Sequence, residues 1–244
     1  MNSVTFHFLG TVDFDAALAL QTRLVFEAGE RTDGRIVVLL CEHPGLITVG
    51  RSGSRAHVRL TPTQLRAHQL DVRWVSRGGG CLLHLPGQLA VYPIVPLDQR
   101  RWLVGEYMQR LRQGLLGTFE SLGVRVTTPA GRPGLHGRTG LLGCLGVAVR
   151  NGVTMHGAWL NVNPSMQLFG QIDAISPQTA GRGEKTTLSS LLAERHEPVT
   201  MSSVRAALVA QLASAFDCPR PVMVSGHSLL PRPSPSNGPA ASIA

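Results

Sequence analysis

At 244 residues and 43% apolar content the chain is long enough to bury a substantial core, and no apolar run approaches the length of a membrane span. The formal charge is +8, carried almost wholly by arginine, with Lys185 the sole lysine. These arginines are dispersed, with no basic run interleaved with aromatics; this argues against nucleic-acid binding and leaves a basic face suited to acidic protein partners.

In chain order, residues 4–10 read as a strand and 13–28 as an amphipathic helix opening at Asp13. Residues 35–44 and 46–50 are β-rich and interrupted by Pro-Gly, as in consecutive strands. A short helix is expected over 61–69 with Pro62 near its start, then a strand over 71–76. Residues 89–97 form a buried strand carrying prolines of the kind found on sheet edges. The longest helix is expected over 101–123, with Leu103, Tyr107, Leu111, Leu115 and Phe119 at fourfold spacing. Residues 139–163 read as a hairpin turning at Asn151-Gly152, and 186–194 and 200–216 as closing helices. With no repeat and no linker, the pattern predicts one α+β domain over 1–222 and a disordered Pro/Ser-rich tail over 223–244.

Four cysteines, Cys41, Cys81, Cys144 and Cys218, lack CxxC spacing, which argues against a zinc knuckle or a disulfide framework. The first fifteen residues have neither a basic n-region nor an apolar h-region, so a cytoplasmic location and no membrane association are expected. HExxH, GxSxG and paired metal ligands are all missing from the sequence, so no metal is expected.

Chemistry concentrates in two glycine-flanked histidine segments. In Arg77-Gly78-Gly79-Gly80-Cys81-Leu82-Leu83-His84, glycines allow close backbone approach and positive φ, Arg77 offers a planar donor fork, and His84 offers a ring donor. The second segment is His156-Gly157-Ala158-Trp159. Lys185, in Gly181-Arg182-Gly183-Glu184-Lys185-Thr186, imitates a phosphate loop but fails it, because Glu184 replaces a required glycine.

Five collinear motifs over residues 35–195 resemble the octanoyltransferases of lipoate biosynthesis: Leu40-Cys41-Glu42-His43-Pro44, Arg77 to Gln88, Leu141 to Gly146, His156 to Val162, and Ile175 to Leu188. The resemblance implies a mixed β-sheet flanked by helices, like the biotin/lipoate protein ligase catalytic domain. It implies octanoyl transfer from octanoyl-acyl carrier protein to a lysine of a lipoyl domain, of 2-oxoacid dehydrogenase complexes or of the glycine cleavage H protein. No cofactor is implied. The substrate-binding segments carried over are Arg77 to His84, Cys144-Leu145-Gly146 and His156 to Trp159.

The chain departs from that family at its chemistry. The family's nucleophilic cysteine falls on Gln178 and its lysine on Leu141, and no cysteine occurs between Cys144 and Cys218. Glutamine forms no acyl-enzyme and leucine takes no proton. Leu82, Leu83 and Leu85 also make the histidine segment more apolar than the family pattern. Two readings follow: an octanoyltransferase working by direct transfer or through Cys144 as an alternative nucleophile, or a degenerate homologue that binds acyl chain, carrier or lipoyl domain without turnover. ATP-dependent lipoate ligation is weaker, because no lysine lies in the strand where such ligases keep theirs.

Overall fold

The computed structural model describes residues 3–129, 133–173, 186–195 and 197–230. Ten strands and six α-helices are assigned in it: β1 (Val4–Thr11), α1 (Phe14–Glu30), β2 (Ile36–Glu42), β3 (Leu46–Val49), α2 (Pro62–Ala67), β4 (Asp71–Trp74), β5 (Cys81–His84), β6 (Gln88–Ile94), α3 (Leu97–Arg100), α4 (Val104–Ser121), β7 (Leu135–His136), β8 (Leu141–Arg150), β9 (Val153–Asn161), α5 (Leu191–Arg195), α6 (Met201–Ala215) and β10 (Val222–Ser225). Seven strands form one mixed sheet in the order β10-β1-β2-β6-β9-β8-β7, and three form a smaller sheet, β4-β3-β5.

Both faces of the large sheet are covered. Val38, Leu40, Val91 and Leu160 meet α4 and α6 through Tyr107, Leu111, Leu115, Leu208 and Leu212. On the other face, Leu39, Cys41, Tyr92 and Trp159 meet Leu20 and Leu24 of α1 and Leu82 of the small sheet. This two-sided burial is why β2 reads as an unbroken apolar run rather than an alternation. Helix α1 starts where Asp13 accepts the Ala16 N–H at 3.0 Å, and α2 where Thr61 and Gln64 cap each other. Gly114 lets α6 close on α4: a Cβ there would lie 2.5 Å from Leu212 Cδ2.

Several expectations are corrected. β2 and β3 are consecutive in sequence, but the Pro44-Gly45 link sends them into different sheets. The long helix begins at Val104; Leu103 is its N-cap and 79% exposed, so the buried row starts at Tyr107. β6 is interior, between β2 and β9, despite its prolines. Pro93 is tolerated there because the β6–β9 ladder is interrupted opposite it: His156 has φ +57°, ladder pairing stops at Val91↔Ala158 and resumes in the same register only at the Pro96↔Val153 bridge, and Pro93 Cδ faces Gly157. Residues 187–189 are not helical. Leu141 N–H donates to Thr187 O, and Ser189 N–H donates to Leu141 O, which draws them along β8 in extended form. The domain boundary placed at 222/223 falls inside β10, which extends the large sheet by pairing parallel with β1. The Asn151-Gly152 turn joins β8 to β9 with positive φ at both residues. Among the described residues no helix is long and apolar enough to cross a membrane.

Candidate active site

The small sheet lays one face on the large sheet. Strand alternation sends Leu82 inward to Trp159 and Tyr92, and sends Cys81 and Leu83 outward to Ile47, Phe169 and Ile172. At the seam between β5 and β8/β9 lies an apolar cavity of about 30 Å³, lined by Leu82, Leu83, Leu141, Gly143, Cys144, Trp159, Asn161, Phe169, Ile172 and Leu188. Its amide, Asn161, is satisfied, whereas the Trp159 indole N–H has no hydrogen-bond partner among the described residues. Gln88 Nε2 donates to Asn161 Oδ1 at 2.7 Å, and Asn161 Nδ2 donates to Ser189 O at 2.9 Å. This bond ties the Pro-Gly-Gln and Leu-Asn-Val motifs together, so both serve the architecture of the site.

Beside the cavity sits Arg77, only 3% exposed. Its guanidinium donates to Thr48 O, Thr48 Oγ1 and Gly78 O, and its carbon lies 5.0 Å from the centre of the Trp159 ring. The Nε has no hydrogen-bond partner, and no carboxylate among the described residues pairs with the charge. Burial lowers its pKa, with Cys144, Tyr92 and Cys81 as the only groups that favour its charge. A guanidinium in such a place remains charged, and no carboxylate among the described residues compensates its field.

Around it is a box of rings. The His84 ring centre lies 5.6 Å from those of His43 and Trp159 and 5.5 Å from that of Phe14. His43 Nδ1 lies 2.7 Å from Val12 O, and Tyr92 Oη lies 2.8 Å from His43 Nε2. Burial first, then the neighbouring histidines and Arg77, hold His84 well below its ordinary pKa; burial likewise lowers His43, and burial with Arg77 takes His156 to about 4. The sign of the resulting pH dependence follows. Below about pH 6.5 the unfolded chain takes up protons that the folded one refuses, so stability present above that value is lost as pH falls towards the folded values. From His156 alone the loss by about pH 4 is about 3 kcal/mol. Urea midpoints should therefore fall steadily from about pH 6.5 to about pH 4.5, and a flat profile would mean that these histidines are charged inside the fold.

The structure gathers Arg77, Gly78, Leu82, Leu83, His84, Cys144, Gly146 and Trp159. Gly146 has to be small, since a Cβ there would sit 2.7 Å from Gly78 O and 3.2 Å from Arg77 Cδ. Alternation turns other members of the two segments away: Leu145 and Ala158 join the helix-side core, and Cys81 packs behind the small sheet, its thiol donating to Ser54 O. Gly157 faces Val91 O where the β6–β9 ladder is interrupted. The glycine run is an interlock. Gly78 N–H is taken by Val147 O, and the carbonyls of Arg77, Gly79 and Gly80 accept from Arg51, Ser52 and Gly50. Cys144 is opposite Trp159 in the cavity wall, and burial raises its thiol to about 11 despite Arg77. Gln178 and Lys185 lie outside the described residues.

Thr48, Tyr92, Phe14 and Gln21 belong to the same cluster and carry no local sequence signal. Gln21 Oε1 accepts the His156 N–H at 2.7 Å, where the β6–β9 ladder is interrupted.

A mixed sheet with a small sheet laid on one face is the architecture of the lipoate-protein ligases. A solved lipoate-protein ligase A bound with ATP aligns with TM-score 0.70 at 11% identity over 93% of this chain and 90% of that one. The putative lipoate protein ligase of T. acidophilum with bound lipoic acid aligns with TM-score 0.66 at 11% identity over 93% and 91%. The sequence narrows the class further. Residues 13–213 match the lipoyl protein ligase A/B catalytic domain, and the chain belongs to that family. The octanoyltransferase of Chloroflexus aggregans is 34% identical over 227 residues, 91% of this chain and 98% of that protein. That of Nitratidesulfovibrio vulgaris is 31% identical over 91% and 98%.

Proposed function

We propose that this chain transfers an octanoyl group from acyl carrier protein to a lysine of a lipoyl domain, in lipoate biosynthesis. The observation that carries the reading is an apolar cavity whose wall residue Trp159 packs against a buried guanidinium with no carboxylate partner among the described residues. The acyl chain takes the cavity, whose side chains have to give way for eight carbons. The thioester oxygen, which becomes negative when the carbonyl is attacked, meets Arg77. Relatives named octanoyltransferase over nearly the whole chain support the same reaction. We assign the lipoyl domains of 2-oxoacid dehydrogenase complexes or the glycine cleavage H protein as acceptors, in the cytoplasm. The +8 charge suits an acidic carrier.

Direct transfer is the route favoured by the side chains. Leu141, at the place of the family's lysine, borders the cavity and holds no proton, and burial keeps the Cys144 thiol protonated. The acceptor amine attacks the thioester carbonyl and forms the C–N bond. The C–S bond breaks, and the carrier thiol leaves with the proton that the amine gives up.

Intact-mass measurement after mixing with octanoyl-acyl carrier protein alone should show the chain unmodified. Adding a lipoyl domain should produce an octanoylated lipoyl domain. An octanoyl adduct mapping to Cys144 overturns direct transfer, and an acceptor that stays unmodified overturns transfer itself.

A further inference from the structure

Thr48 is fully buried on β3, on the same face of the small sheet as Leu82 and His84. Its hydroxyl has two polar neighbours: Arg77 Nη2 at 2.8 Å and His84 Nε2 at 3.0 Å. A guanidinium has no acceptor atom, so the arginine donates and the Thr48 oxygen accepts. The hydroxyl hydrogen then has one acceptor among the described residues, His84 Nε2. If Nε2 carried the proton instead, two donors would point at one oxygen and the threonine's own hydrogen would have no acceptor among the described residues.

We infer that Thr48 is a positioning residue that holds His84 as its Nδ1–H tautomer, through the chain Arg77 to Thr48 to His84. Two observations beyond the distances agree. His84 is packed against a buried cation and a second histidine, an environment that keeps the ring neutral, so one nitrogen accepts while the other carries the hydrogen. His84 Nδ1 also meets no hydrogen-bond partner among the described residues, so its N–H is uncommitted. On the proposed transfer, which this step rests on, that N–H is the histidine's single donor to the acyl group held beside Arg77. The tautomer itself does not depend on that reading.

Long-range proton–nitrogen NMR of the full chain, with His84 assigned by loss of its signals in His84→Gln, reads the tautomer directly. His43 serves as a control in the same spectrum, because Val12 O fixes its Nδ1–H independently of Thr48. The wild type and Thr48→Ser should show Nδ1–H at His84. Thr48→Val should lose that signature at His84 and keep it at His43. In turnover, Thr48→Val should lower kcat about tenfold or more with KM changed by less than about threefold, and Thr48→Ser should restore it. An Nε2–H signature in the wild type, or a Thr48→Val spectrum identical to it, overturns the inference. Failure of wild-type transfer with the Nδ1–H signature intact would overturn the function and leave the tautomer standing.

Discussion

Arg77→Met will lower kcat/KM for octanoyl transfer about 100- to 1,000-fold while changing the unfolding free energy by no more than about 2 kcal/mol. The two halves of this result have different causes. Attack on a thioester puts negative charge on its oxygen, and a fixed cation in a dry site stabilises that charge far more than water does. Arg77 is such a cation, buried, over Trp159 and without a carboxylate partner among the described residues. In the resting fold the same isolation makes it a poor stabiliser. Methionine gives up three hydrogen bonds and the contact with the ring, but it also relieves an uncompensated buried charge and fills much of the same volume. Parallel urea titrations and transfer assays measure both quantities. Full activity in Arg77→Met would remove the guanidinium from the mechanism, and a variant that fails to fold would make it structural.

The second large effect concerns the two positions where the family's chemistry is replaced. Gln178→Cys together with Leu141→Lys should create a thiol that titrates at least about one unit below that of Gln178→Cys alone, and so reacts about tenfold faster with iodoacetamide near pH 7. Leu141 is 2% exposed in the cavity wall, so a lysine there loses most of its hydration, and a neighbouring thiolate is the partner that keeps it charged. Leu141→Lys alone should gain no reactivity, having no thiol at 178 to activate. Rates of alkylation against pH report the thiolate fraction in each variant. Equal titration of the single and double variants would show that positions 141 and 178 are not neighbours.

Much of the scaffold was legible in the sequence because it rests on local rules. Periodicity and the Asp13 cap placed α1, the Asn151-Gly152 dipeptide placed the β8–β9 turn, and the apolar, β-rich run over residues 35–44 placed β2. The glycine-flanked segments read as places where backbone N–H groups approach a ligand, and the close approaches seen among the described residues are between backbones. Their purpose was less legible. The glycines of residues 78–80 serve packing against residues 50–53, and the face that each of residues 81–84 takes depends on the parity of a four-residue strand, while the cavity is lined by Leu82 and Leu83 alike. Proline in β6 pointed to an edge, because the break in the ladder that excuses it belongs to another strand, 63 residues from Pro93 at His156.

By itself, then, the sequence determined the fold class, the family and the segments that build the site, since these are written in periodicity, turn residues and ordered motifs. Only the tertiary structure decided that Arg77 has no counter-charge among the described residues, that the half-buried Cys144 has its thiol pKa raised despite Arg77, and that Thr48 links Arg77 to His84. Those properties depend on what is absent or present within a few ångströms in space. Thr48 is 29 residues from Arg77 and 36 from His84 along the chain, and only the pairing of β3 with β5 brings its hydroxyl between them.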